Sequence, residues 1–266
     1  MNNARLMHGM HVVLTFLLLI IVTLPIISLV VGAFTQQMPW PRLWPEYWSL
    51  RAWEYMISPT SDVGVAIWTS LSIAAAVTVI NILLAVPVAD ALSRYSFAGK
   101  TWIEVLLYAP IIIPAFVSVM GIHITFLRLG LTDTSFGVML AHIAPSLPYM
   151  IRALMISFGT LGFEWEEQGR MLGARRMQRF RHIVLPHILP GIVVGSGLSM
   201  LVSLSQYLIT FLIGGGQVIT IPILLFPFAS GGDPNIAAAY TLVFAGLAAA
   251  ALWGLDVLLN MYYRRR

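Results

Sequence analysis

The sequence contains no cysteine among its 266 residues, which excludes a disulfide framework and thiolate chemistry of any kind. Charge is also scarce: 10% of residues are charged, where soluble domains carry about a quarter. A soluble core this apolar would have no polar coat to cover it. The surplus of basic residues gives a net charge of +4, but a nucleic-acid partner would require a basic patch on a soluble surface. Here the basic residues stand between long hydrophobic runs, so nucleic acid is not an expected partner. Catalytic signatures are missing too. There is no HExxH and no Gly-x-Ser-x-Gly. Gly99-Lys100-Thr101 has the ending of a phosphate-binding loop, yet the position that requires glycine is Arg94. His123 and His142 lie in hydrophobic runs with no second ligand at metal-binding spacing, and they read as interhelical hydrogen-bonding residues. No catalytic, metal or cofactor set is therefore expected.

What is present is apolar length. Hydrophobic residues make up 59% of the chain, and the mean hydropathy is +0.86. A helix needs ~20 apolar residues to cross the hydrocarbon core. Uncharged gaps occur at 6–41, 63–89, 105–127, 134–151, 182–232 and 234–255. They predict an all-α integral membrane protein, a single transmembrane domain with six spans at about 12–34, 63–91, 103–127, 134–158, 187–213 and 236–261. Residues 218–229, broken by Pro222 and Pro227, are too short to cross alone and read as re-entrant or interfacial. Six spans place 12 of the 15 basic residues on one side, leaving Arg42, Arg51 and Arg128 opposite. The positive-inside rule makes the rich side cytoplasmic, with both termini there. The first span is too long for a signal-peptide core and has no A-x-A-like site after it, so it is expected to remain. Trp40, Trp44, Trp48 and Trp53 follow it, readable as an interfacial belt or as an external docking surface.

Residues 159–186 differ from everything around them. Glu164, Glu166 and Glu167 come first, and Arg170, Arg175, Arg176, Arg179 and Arg181 follow. That order complements a helix dipole, and Glu166 and Arg170 have the spacing of an i,i+4 pair. Gly169 and Gly173 would share one helix face, where another backbone approaches closely. An amphipathic helix with its arginines on lipid phosphates accounts for the same composition.

The spacing adds a resemblance. Glu167-Gln168-Gly169, three residues, Gly173-Ala174, then Phe180 and Leu185-Pro186 resemble the EAA loop of binding-protein-dependent ABC importer permeases. Gln168-Gly169 stands where that family usually has two alanines. Pro87 to Lys100 and Pro145 to Arg152 also resemble the family's spans. The resemblance implies a cytoplasmic coupling helix that docks on an ATPase subunit, with Glu167, Gly169, Arg170, Leu172, Gly173, Ala174, Phe180 and Pro186 as the coupling residues. It implies further partners: a second permease, two ATP-binding-cassette subunits that hold the ATP and magnesium, and a periplasmic or lipid-anchored binding protein. The expected location is a bacterial inner membrane.

Few ionisable residues lie inside the spans. Asp90 and Arg94 are four apart and suited to pair, and no span carries a charge near its centre. A secondary transporter or channel, the rival reading, would normally place one there. Ser199, Ser203, Gln206 and Tyr207 bring hydroxyls and an amide into the fifth span, either as interhelical hydrogen bonds or lining the path. The stretch that follows resembles the polyamine-type branch of the family, and the short N-terminus its second permease. That branch also covers iron, sulfate and thiamine systems, and no acid occupies 203–207 to face a cation.

Overall fold

The computed structural model describes residues 2–36, 45 and 47–264. These residues are helical apart from loops and one isolated antiparallel bridge between Thr35 and Trp48. The helices are α1 (Asn2–Ala33), α2 (Arg51–Ile57), α3 (Val63–Arg94), α4 (Lys100–Ile112), α5 (Ala115–Leu129), α6 (Ser135–Leu161), α7 (Glu164–Met171), α8 (Arg176–Arg179), α9 (Leu185–Leu204), α10 (Leu208–Gly214), α11 (Ile221–Ala229) and α12 (Pro234–Arg264). A π-turn, Phe180–Val184, joins α8 to α9. Five helical stretches are long and apolar enough to span: Met10–Ala33, Val63–Arg94, Ser135–Leu161, Arg176–Leu204 and Pro234–Val257. The pair α4 and α5 passes the same test only when joined, across a bend of 103° that fits a broken span or a re-entrant loop, so the described residues hold five or six candidate spans.

That bend interrupts the helix expected at 103–127. Pro114 has no N–H to continue the ladder, and the residue before a proline is driven out of the helical region. Ile113 accordingly sits at φ −72°, ψ 134°. The span expected at 187–213 is likewise interrupted: α9 stops at Leu204, and α10 restarts at Leu208. Both breaks fall where counting uncharged residues carries no information.

The chain divides into two compact units. One comprises Met1–Val63 with Leu224–Gly246. Its core is built from Ala33, Ala52, Met56, Ile236, Ala239 and Tyr240. The buried Asn235 amide donates to the Gly32 carbonyl and to Thr35 Oγ1, each at 2.6 Å. Asp233 caps α12, accepting from the N–H of Asn235 at 3.0 Å and of Ile236 at 3.3 Å, with Pro234 at the first helical position. Arg51 pairs with the same carboxylate. Burial opposes ionisation of Asp233, but the Arg51 hydrogen bond, the two backbone donors and the Arg51 charge outweigh it and hold the group below the usual carboxylate range. Trp53 stacks on Phe34, with ring centroids 5.4 Å apart, so it serves this core and is no free belt residue, whereas Trp48 is exposed. Trp40 and Trp44 lie outside the described residues.

The other unit comprises Gly64–Ile223 with Leu247–Arg266, and the close pairing of α6 with α9 organises it. Gly191 and Gly195 are four apart on α9. A Cβ at Gly191 would lie 2.3 Å from Ser157 Oγ and 3.0 Å from the Ala153 carbonyl oxygen. At Gly195 it would lie 2.5 Å from Met150 Sδ. This small-xxx-small face lets two backbones approach, as van der Waals packing in lipid favours. Apolar contacts of Met150, Leu154 and Phe158 with Ile188 and Val184 continue the seam. Asn81 of α3, fully buried, donates to Ser146 of α6 at 2.8 Å and to Ser199 of α9 at 2.6 Å.

Candidate functional site

The loop between α6 and α9 is a folded unit. Gly162 ends α6 at φ 65°, and α7 begins at Glu164 with three acids in its first turn. The helix then closes on Gly173. Its N–H bonds the Arg170 carbonyl, and the Ala174 N–H bonds the Gly169 carbonyl, each at 3.0 Å. These are the two bonds of a Schellman cap, with Gly173 left-handed at φ 81°. Gly173 therefore terminates the helix and shares no face with Gly169, which corrects the expected pairing of the two glycines. Their purposes differ as well. Gly169 is buried against this chain: a Cβ there would meet Ile183 Cδ1 at 2.9 Å. A Cβ at Gly173 would meet nothing within 4 Å, so only the backbone conformation requires glycine.

After the cap, Arg175 is extended and its N–H bonds the Gln178 side chain at 2.7 Å, starting α8. The π-turn follows, with the Leu185 N–H reaching back to the Phe180 carbonyl. Pro186 is the second residue of α9. Its ring would collide with the carbonyl four residues earlier in a regular helix, and a widened turn relieves that contact. Arg179 folds back to donate to the Ala174 carbonyl at 2.8 Å.

Arg94, at the end of α3, anchors this unit. One Nη1 donates to Asp90 at 3.0 Å and to Glu166 at 2.6 Å. Nη2 reaches the Gly162 carbonyl at 3.1 Å, and the guanidinium lies 4.3 Å above the Phe163 ring. Tyr95 meets the same ring edge-on. The Arg94 side chain is 6% exposed. Glu166 thus pairs with Arg94 and not with Arg170, contrary to the expected i,i+4 pair, while the Asp90–Arg94 pair is present. A groove forms beside this anchor, lined by Asp90, Arg94, Glu166, Glu167, Arg170 and Arg176.

Of the residues singled out as coupling residues, Glu167, Arg170 and Leu172 are exposed, Ala174 and Pro186 half-buried, Gly169 buried and Phe180 near the surface. Two large apolar side chains are exposed beside them. Leu172 is 88% exposed and Met171 83%, at the cap of an otherwise charged helix.

The four polar residues of the fifth span separate into two pairs. Ser199 and Ser203 are buried: Ser199 accepts from Asn81, and Ser203 bonds His142 Nδ1 at 3.0 Å. Their hydroxyls join helices within this chain. Gln206 and Tyr207 lie in the break between α9 and α10 and are half-buried, with Tyr207 stacked on Phe211. Asn81 and the Gly191/Gly195 pair escaped the reading of the sequence. The glycine pair was visible as small-xxx-small, whereas Asn81 carried no local signal. Among the described residues no cluster of three or more potential metal ligands occurs.

Comparison with known proteins gives this geometry a family. Residues 81–263 match the family model described as binding-protein-dependent transport system inner membrane component. The chain is 30% identical to the molybdenum transport system permease protein ModB of Mycobacterium tuberculosis, covering 79% of this chain and 83% of that protein. It is 27% identical to the sulfate transport system permease protein CysT of Salmonella typhimurium, over 92% and 90% of the two chains. The spermidine/putrescine transport system permease protein PotC of Haemophilus influenzae is 27% identical over 58% and 61%. In fold the chain is similar to a bacterial ABC transporter chain involved in import of the acidic polysaccharide alginate, with TM-score 0.72, 15% identity and coverage of 99% and 98%. With more than half its length matched by the family model, the chain belongs to the binding-protein-dependent transport system inner membrane components and is a multi-pass, non-catalytic permease subunit of an ABC importer.

Proposed function

We propose that this permease forms one half of an ATP-driven solute path in a bacterial inner membrane, with both termini cytoplasmic and residues 159–186 as its coupling element. The observation that carries the reading is the bare apolar tip, Met171 and Leu172, on a loop that Arg94 fixes to the end of a span. An exposed apolar knob on a charged support fits a socket on a partner protein, since two large side chains left in water forfeit about 3 kcal/mol or more of burial. The partner is an ATPase subunit that binds ATP and magnesium; Glu167, Arg170 and Phe180 border the contact, and Gly173 and Pro186 shape it. A second permease, a second ATPase and an external binding protein complete the assembly.

Solute passes at the α9–α10 break, where Gln206 and Tyr207 offer neutral polar contacts, while Ser199 and Ser203 hold the helices behind them. No acid stands between 203 and 207 to balance a polyamine. Relatives named for molybdenum and sulfate transport align over most of the chain. A small oxyanion is therefore the favoured solute class.

Purification from native membranes in mild detergent, followed by uptake assays in vesicles, tests the proposal. Recovery of an ATPase and a second permease, with ATP-dependent uptake of molybdate or sulfate, is expected. A stable homo-oligomer without ATPase would refute it, and competition by spermidine but not by oxyanions would return the solute to the polyamine class.

A further inference from the structure

One imidazole holds both sides of the break in the fifth span. His142, on α6, is 1% exposed. Its Nδ1 lies 3.0 Å from Ser203 Oγ, in the last turn of α9, and its Nε2 lies 3.0 Å from Thr210 Oγ1, in the first turn of α10. Between those turns stand Ser205, Gln206 and Tyr207. Hydrogen-bond accounting fixes the roles. Thr210 Oγ1 spends its own proton on the Gln206 carbonyl at 2.7 Å, so toward the ring it accepts. In a neutral ring Nε2 then carries the proton, Nδ1 accepts, and the Ser203 hydroxyl donates to it. Both ring nitrogens and both hydroxyls are then partnered, as a dry helix interface favours.

The arrangement is specific to a bridge. A hydroxyl in a span ordinarily satisfies itself on the carbonyl one turn back, as Thr78 does at 2.7 Å. Ser203 turns away from that option to the ring. The second residue, Thr210, makes both bonds at once, so the ring, α10 and the Gln206 carbonyl form one chain of hydrogen bonds. The shallow crevice beside the ring is lined by His142, Ser203, Gln206, Thr210 and Thr220, which puts Gln206 at the edge of the same polar cluster.

We infer that His142 is a positioning residue for the solute path: as a neutral Nε2–H imidazole it pins α9 to α10 and thereby sets where Gln206 and Tyr207 stand. Its effect on transport rests on the proposal that the break lines the path; the pin itself does not.

The absence of cysteine makes the test direct. A single cysteine at Ser205, exposed within the break, reports its geometry through the rate of labelling by a water-soluble maleimide in the assembled transporter. Two interhelical hydrogen bonds are lost in His142→Leu, and the labelling rate should shift about tenfold. His142→Gln keeps one acceptor and one donor on a planar amide, and should restore the rate to within about threefold. In parallel, oxyanion uptake by His142→Leu should show a raised KM with little change in the amount of complex, whereas a merely structural loss would lower the amount and leave KM alone. An unchanged labelling rate in an intact His142→Leu complex overturns the inference. A shifted rate with unchanged uptake KM supports the pin and refutes the assignment of Gln206 and Tyr207 to the path. If His142→Leu fails to assemble, Thr210→Val and Ser203→Ala each remove one bond; a shift in labelling with either supports the pin, and no shift with both overturns it.

Discussion

Replacing Arg94 with methionine keeps the aliphatic stem and removes the charge that joins α3 to the loop. Two carboxylates then lose their partner: Asp90, 37% exposed, and Glu166, 27% exposed, around a guanidinium that is 6% exposed. Breaking a fully buried pair costs about 3–5 kcal/mol, and losing an exposed pair about 0.2–1 kcal/mol. The carboxylates here keep part of their water, so the loss falls between those limits, at about 2 kcal/mol. The stacking on Phe163 contributes about 1 kcal/mol of its own. A 2 kcal/mol loss alone changes the ratio of anchored to released loop about 30-fold. The transporter should still assemble in the membrane, because the α6–α9 seam and the Asn81 contacts are untouched. Coupling should suffer instead. In proteoliposomes that contain the full complex, solute moved per ATP hydrolysed should fall about tenfold or more, while ATP hydrolysis continues. A double-mutant cycle with Glu166→Gln, read on thermal stability, should return a coupling energy near 1–2 kcal/mol. Unchanged transport per ATP together with a coupling energy below about 0.3 kcal/mol would refute the reasoning.

Gly191→Ala should destabilise the complex by about 1–3 kcal/mol, because the new methyl meets the Ala153 carbonyl and Ser157. Gly121→Ala, with nothing within 4 Å, should be neutral or slightly stabilising, and the two midpoints of thermal unfolding in detergent check the contrast. At Gly173 only the left-handed backbone matters, so Gly173→Asn should retain most transport, while Gly173→Val loses far more than the ~1–2 kcal/mol of an unbranched residue. Asp233→Asn keeps an N-cap acceptor but loses the Arg51 ion pair, which is partly exposed and worth about 1 kcal/mol. Because the native pKa of Asp233 is depressed, its stabilisation is complete above the ordinary value of 3.8 and disappears as pH falls through the lower native value. The difference between wild type and Asp233→Asn should therefore be constant from pH 8 to pH 5 and shrink below pH 4. A difference that grows on acidification would contradict the sign.

The features legible in the sequence were those set by local composition. Uninterrupted apolar length located α1, α3, α6 and α12, and the acid-then-base run located the loop between α6 and α9. Asp90 and Arg94 were readable as a pair because a helix turn brings them together. What escaped notice depended on long-range geometry or on proline. The bend at Ile113–Pro114 was written in Pro110 and Pro114, but counting uncharged residues ignores both. Glu166 has Arg170 at helical spacing, yet Arg94, 72 residues away, takes it, and no local rule predicts that preference. Ser199 and Ser203 are readable from the sequence either as interhelical hydrogen bonds or as path-lining residues. Asn81 and His142, reached only through packing of α3 and α6 on α9, give both hydroxyls interhelical partners.

Contact between Leu172 and an ATPase subunit tests the central proposal most directly. A photo-crosslinking side chain at Leu172, 88% exposed at the cap of α7, would be irradiated in native membranes with the complex intact, with and without ATP. The expected result is an adduct with the nucleotide-hydrolysing subunit whose yield changes on ATP binding. Adducts with lipid alone, from a transporter that still imports its solute, would contradict the assignment of 159–186 as the coupling element.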